Sequence, residues 1–141
     1  MQYPELLHEA RLLERYKRFL ADVEWPDETR QTVHCPNPGR MLGCAQPGMR
    51  IWLSEGTNPR RKYRWTWELV ECDTGALVGV HTGRTNGLVA AALEAGELDS
   101  LAGYNERHAE HTPVAGGSRF DFRLDGAAGP PCLIEVKSVT A

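Results

Sequence analysis

No Cys-x-x-Cys pair, no apolar run long enough to span a bilayer and no overall basic charge occur in this chain of 141 residues, and each absence removes a class of protein. The four cysteines, Cys35, Cys44, Cys72 and Cys132, are widely separated. Zinc-ribbon spacing is therefore excluded, and such cysteines read as reduced thiols of a cytoplasmic protein. The opening MQYPELLHEARLLERYKRFL is acidic near its start and lacks the apolar core of an export signal, which points to the same compartment. Lacking any span of roughly 20 apolar residues, the chain is not expected to cross a membrane. With 41% apolar and 25% charged residues, it has the composition of a folded, soluble protein.

A net charge of −3 gives no global signal for nucleic acid, yet the charge is divided unevenly. Residues 1–68 carry eleven Lys and Arg against nine Asp and Glu, while residues 69–141 carry five against ten. A mildly basic first part and an acidic second part suit a polyanion-binding module joined to a carboxylate-bearing one. Two ordinary small surfaces fit the same counts.

Hydrophobic periodicity organises the first part as strands. Arg50 to Ser54 alternates, and Tyr63 to Cys72 is rich in aromatic and β-branched residues. Asp73-Thr74-Gly75 is a hairpin turn leading into Ala76–His81. Between His34 and Gly48 the density of Pro, Gly and Asn predicts a loop. The stretch Arg11–Val23 fits a helical face through Leu12, Leu13, Tyr16, Phe19 and Leu20, and a strand through Phe19, Ala21 and Val23, so periodicity leaves it open. Several strands, one long loop and no strong helix predict a small β-barrel. Beyond His81 the pattern changes: Leu88–Leu93 reads as a helix stopped at Gly96, and Arg119–Leu124 and Cys132–Val139 as two closing strands.

The closing strands carry the chemistry. Alternation places Phe120, Phe122 and Leu124 on one face of the first, and Arg119, Asp121 and Arg123 on the other. On the second strand Glu135 and Lys137 point the same way. If the hairpin is symmetric, Leu124 pairs with Cys132 and Asp121 faces Glu135. Opposed carboxylates destabilise a sheet unless neighbouring cations neutralise them. Arg119, Arg123 and Lys137 could do so on a solvated face. A hard divalent cation could do so as well, and it would supply activated water for phosphodiester hydrolysis, with Lys137 near the developing charge.

A second cationic cluster, Arg60, Arg61, Lys62 and Arg64, is interleaved with Tyr63, Trp65 and Trp67. Together with Arg15, Lys17 and Arg18 it has the character of a nucleic-acid-binding groove. Trp65 and Trp67 read equally as stacking platforms and as barrel core. His34 with Cys35 and Cys44 matches no common metal spacing and reads as a structural loop. His108 and His111 read as solvent-exposed, and Gly116-Gly117 as a turn.

The runs RYKRFLADV (15–23), HCPNPGRMLGC (34–44), RRKYRWTWEL (60–69), SRFDF (118–122) and IEVKSVT (134–140) resemble, in the same order, the sugar fermentation stimulation protein A family. The resemblance implies an α+β chain: an OB-fold-like nucleic-acid-binding barrel over residues 1–80, then a PD-(D/E)XK nuclease-like domain over 81–141. It implies a strand for the first stretch. It also implies a site with Asp121 and Glu135 as ligands of Mg²⁺ or Mn²⁺, Lys137 as the residue that positions water, and DNA as the partner. The alternative is a regulator of sugar metabolism genes that binds DNA without cutting. Pro38 stands where the family pattern has Thr. The helix that often brings a further acid has Ala90, Ala91 and Ala92, with Glu94 nearest. The family continues past residue 140, so the nuclease-like domain is expected to be incomplete here, with weak or absent cleavage.

Overall fold

The computed structural model describes Tyr3, residues 6–126 and residues 129–140. It separates into two compact units, one reaching to Gly83 together with Val139 and Thr140, the other spanning Arg84–Ser138. Among the described residues no helix is long and apolar enough to cross a membrane.

The first unit is a barrel of six strands: β1 (Leu7–Tyr16), β2 (Leu20–Glu24), β3 (Arg30–His34), β4 (Arg50–Glu55), β5 (Trp65–Glu71) and β6 (Leu77–Gly79). The order is β3-β2-β1-β4-β5-β6, and a parallel pairing of His34 with Thr66 joins β3 to β5 and closes the cylinder. This is the five-stranded OB connectivity with one added strand. The ambiguous first stretch is two strands, because Lys17 and Arg18 take left-handed φ of 50° and 65° and turn the chain between them. Alternate residues of the curled sheet (Leu12, Ala21, Val23, Val33, Ile51, Leu53, Val70) are fully buried and form the core. β3, whose RQTVH has one buried residue, gave no periodic signal.

The β4–β5 pairing departs from strict alternation. Trp52 pairs with Leu69 and Leu53 with Trp67, so Glu68 is an extra residue. This bulge turns Trp67 into the core at 0% exposure, its Nε1 donating to the Leu69 carbonyl at 2.9 Å. Glu68 is buried too, and its carboxylate accepts the Ser54 hydroxyl at 2.8 Å. A buried carboxylate needs such donors to offset lost hydration.

The long β3–β4 connection packs against the same core through buried Cys35, Met41, Cys44 and Met49. It is tied down by Asn37, whose Nδ2 donates to the Val80 carbonyl at 3.0 Å and whose Oδ1 accepts the Gly39 N–H. The expected structural loop is what the structure shows.

The second unit has one α-helix, α1 (Thr85–Glu94), and an antiparallel sheet β7-β8-β9, of β7 (Glu106–His111), β8 (Phe120–Asp125) and β9 (Cys132–Ile134). The helix ends at Gly96, in the left-handed region at φ 69°, as its composition predicts. It starts three residues before the expected Leu88. β7 was not expected: ERHAEH has Ala109 as its one apolar residue and no buried position, so no alternation marks it. On β8, Phe122 and Leu124 are buried as the alternation requires. β9 stops at Ile134 instead of running to Val139, and the reason lies in the acidic site described below.

Candidate functional site

Two groups of residues in the barrel unit meet on the outer side of β2 and β3. The β1–β2 turn presents Lys17, Arg18 and a 45% exposed Phe19. The β4–β5 connection presents Arg60, Arg61, Lys62 and Arg64, all exposed. His34 links them. It pairs with Leu20 on one side and Thr66 on the other, and the Thr66 hydroxyl accepts Arg61 Nη2 at 2.8 Å. The Cys35 N–H, one residue on, donates to the Phe19 carbonyl at 2.8 Å. Burial, then the Arg61 charge, pushes the His34 imidazole below its usual pKa.

Tyr63 lies within electrostatic reach of Tyr16. The Tyr16 hydroxyl donates to Asp22 at 2.9 Å, and that carboxylate also accepts the Thr32 hydroxyl at 2.7 Å. The Lys62 ammonium sits 5.5 Å from the Tyr63 ring centre, a cation–π distance. In a binding barrel the β1–β2 and β4–β5 loops border the ligand face, and here both loops are cationic and aromatic.

The seven cations are not equivalent. Arg15 donates to the Asn37 carbonyl at 2.7 Å and to the Arg18 carbonyl at 3.0 Å, so it holds the turn and the long loop. Arg64 pairs with Glu55. Lys17, Arg18, Arg60 and Lys62 have no carboxylate partner among the described ion pairs. Gly56 permits the fold-back of the β4–β5 connection: a Cβ there would stand 2.6 Å from Arg61 Nη1 and 3.2 Å from the Arg64 carbonyl. Beside it runs a groove of about 740 Å³ lined by Leu6, His8, Gly56, Asn58, Arg61 and Arg64. Half-buried Trp65 contacts His8 and Trp25 edge to face at 5.0 and 4.8 Å. Of the two tryptophans, Trp67 is core and only Trp65 retains an accessible edge.

If DNA is the partner, as the resemblance implies, replacing Arg60, Arg61 and Lys62 together by alanine is expected to weaken its binding several-fold at low salt and to flatten the dependence on salt. Each lost phosphate contact removes about one released counterion from the slope. Unchanged affinity and slope in a filter-binding titration would remove this face from consideration.

No cysteine belongs to the group of three metal-capable donors found among the described residues. The Cys44 thiol is pushed up to about 11 by burial, the hydrogen bond with Cys72 and the nearby Cys72 charge. The two sulfurs are 3.5 Å apart, and Cys35 donates to the Met41 sulfur.

In the second unit the hairpin register is the symmetric one, with Leu124 opposite Cys132 and Phe122 opposite Ile134. One step further the ladder ends. The Asp121 carboxylate (Oδ2) accepts the Val136 N–H at 2.7 Å, taking a donor that a longer strand would need. Val136 stands between Glu135 and Lys137, so this bond brings all three candidate residues to one end of the sheet. Glu135 and Lys137 form an exposed ion pair at 3.1 Å. The other oxygen of Asp121 accepts Asn86 Nδ2, from the first turn of α1, at 2.9 Å. The Val136 N–H and then the Asn86 amide hold the Asp121 carboxyl below the usual carboxylate range against desolvation, with the charges of Lys137 and Arg119 adding smaller contributions. Asn86 had no sequence signal beyond a turn-forming residue before a helix. The helix reaches the acid with this amide, and not from the Ala90–Ala92 stretch.

Among the described residues, one group brings three metal-capable donors within reach of one another, and it lies apart from Asp121 and Glu135: Glu106, His108 and Asp125. Asp125 is already gripped by the Arg123 guanidinium at 2.9–3.1 Å. That contact first, then Arg123, His108 and His111 as charges, lowers its pKa. The Arg123–Asp125 ion pair is part-buried, with exposed Glu106 and His108 beside it.

Comparison with known proteins covers both units. A family model described as the SfsA N-terminal OB domain matches residues 13–80, and one described as the sugar fermentation stimulation protein RE domain matches residues 83–141. A sugar fermentation stimulation protein homolog of Halorhodospira halophila is 54% identical over all of this chain and 59% of its own length. One from Shewanella sp. (strain ANA-3) is 46% identical over 99% of this chain and 60% of its own. The chain thus spans about three-fifths of the curated relatives it matches. A solved structure of Pyrococcus furiosus SfsA, in complex with Ca²⁺, superposes with a TM-score of 0.76 at 22% identity, covering 97% of this chain and 57% of that one. At that identity the likeness speaks for the fold.

Proposed function

The chain belongs to the sugar fermentation stimulation family, and on that premise we propose that it is a cytoplasmic DNA-binding protein whose second unit carries a metal-dependent phosphodiesterase site. The observation that carries the reading is the bond from the Val136 N–H to Asp121. It joins the acid of β8 to the segment bearing a second acid and a lysine, the residues such hydrolysis needs.

The donor set fits a hard cation. Asp121 and Glu135 offer carboxylate oxygens, and each Asp121 oxygen keeps acceptor capacity beyond the one bond it makes. The Glu135–Lys137 pair is exposed and hence weak, so it yields easily to a divalent ion. The Ca²⁺ in the Pyrococcus furiosus structure supports an oxygen-ligand cation in this fold. Asp121 and Glu135 would hold Mg²⁺ or Mn²⁺, and a bound ion of this kind supplies activated water and charge neutralisation. Lys137, released from Glu135, would hold that water or balance charge growing on the phosphate. The barrel face built from Phe19, Arg61, Lys62 and Tyr63 would hold the DNA.

Incubating a labelled oligonucleotide with the protein in Mg²⁺, in Mn²⁺ and in EDTA tests the reading. Weak cleavage that needs the metal and disappears in Glu135→Gln is the expected result, since the chain spans about three-fifths of its relatives. Metal-independent binding with no cleavage in any buffer would instead favour a non-cleaving regulator.

A further inference from the structure

Asn86 is the second residue of α1, in its first turn. The residue at the helix N-cap is Arg84, not Asn86. Its amide instead reaches β8 and donates to Asp121 Oδ1 at 2.9 Å, while the Val136 N–H occupies Oδ2 at 2.7 Å. Two donors, one on each oxygen, fix the plane of the carboxylate, so its remaining acceptor directions are fixed as well. Only a side chain that donates can serve here. An acid at 86 would set two carboxylates against each other at hydrogen-bond distance.

We infer that Asn86 is the positioning residue of the acidic site: it orients Asp121 from the helix and acts on the cation only through that carboxylate. The inference rests on the proposed reading for its consequence, since Asp121 matters as a ligand only if a divalent ion binds there. The Asn86–Asp121–Val136 chain of bonds is independent of that reading.

The test uses Asn86→Ala and Asn86→Asp in the 141-residue protein. In metal-free protein, hydrogen exchange at the Val136 amide should accelerate in Asn86→Ala, because Asp121 can rotate away, and further in Asn86→Asp, where the acids repel. Mn²⁺ titration by calorimetry should show affinity reduced about tenfold in Asn86→Ala, the usual scale for losing the partner of a ligand. Asn86→Asp should bind at least as tightly as wild type, since the added carboxylate can join the ligands, and Mn²⁺ should restore protection at Val136. Thermal midpoints should stay near wild type in both.

Opposite signs in the two variants are not what a purely structural role produces. Wild-type exchange at Val136 in both variants would overturn the inference, as would equal losses of Mn²⁺ affinity that follow a falling thermal midpoint. If Val136 responds as expected while wild type binds no Mn²⁺, the positioning stands and the phosphodiesterase reading fails.

Discussion

Trp67→Ala is expected to cost the barrel about 3–5 kcal/mol, the usual scale for truncating a large buried aromatic, and to lower its thermal midpoint by at least about 10 °C. The side chain is fully buried, and its Nε1 donates to the Leu69 carbonyl. The substitution therefore leaves both a cavity and a carbonyl with one bond fewer. It also sits on the bulge that turns Glu68 inward, so solvent reaching Glu68 would weaken the bond from Ser54. Trp65→Ala is the internal control. That ring is half-buried, and its edge-to-face contacts with Trp25 and His8 are worth about 0.5–1.5 kcal/mol each beyond burial. Thermal melts and hydrogen exchange over β4 and β5 would report both. Equal destabilisation by the two variants would mean that the bulge does not set which tryptophan is core.

The second large effect concerns the proposed cation. Asp121→Asn should reduce Mn²⁺ affinity about 100-fold or more, because loss of a ligand exceeds the 10–100-fold typical of losing a ligand's partner. The amide also has one acceptor oxygen where Asp121 now uses two, so either the Val136 N–H or the Asn86 amide loses its partner. Glu135→Gln should weaken Mn²⁺ less severely and leave the fold intact, as Glu135 is exposed and bonded only to Lys137 among the described contacts. Lys137→Met should move affinity the other way or not at all, since it frees Glu135 and removes a competing positive charge. Calorimetric titration of the three variants gives a pattern of signs that general destabilisation cannot imitate. Wild-type affinity in Asp121→Asn and Glu135→Gln would make the carboxylates structural.

Much of the barrel was legible because its strands obey simple periodicity. Arg50 to Ser54 and the aromatic run ending at Cys72 alternate or concentrate β-formers, and Asp73-Thr74-Gly75 can only turn. The two strands that escaped notice, β3 and β7, lack that contrast. β3 has one buried residue and β7 none, so nothing in their order separates an inner face from an outer one. In Arg11–Val23 the helical and extended patterns coexist, and the left-handed turn at Lys17 and Arg18 uses residues that carry no turn signature.

The sequence by itself determined the chemistry on offer: a cationic, aromatic connection before β5, two acids and a lysine on the closing strands, and thiols outside any zinc spacing. It left the hairpin register to an assumption of symmetry, and the pairing of Leu124 with Cys132 agrees with that assumption. Tertiary structure alone decided which groups meet. The parallel closure at His34 and Thr66 brings the two cationic loops to one face, and a bulge, not alternation, sends Trp67 inward. A side-chain carboxylate ends β9 by taking the Val136 N–H, and Asn86 arrives from a helix 35 residues away. These are long-range pairings whose partners carry no local mark, since a hydrogen bond across the fold depends on where the backbone has already gone.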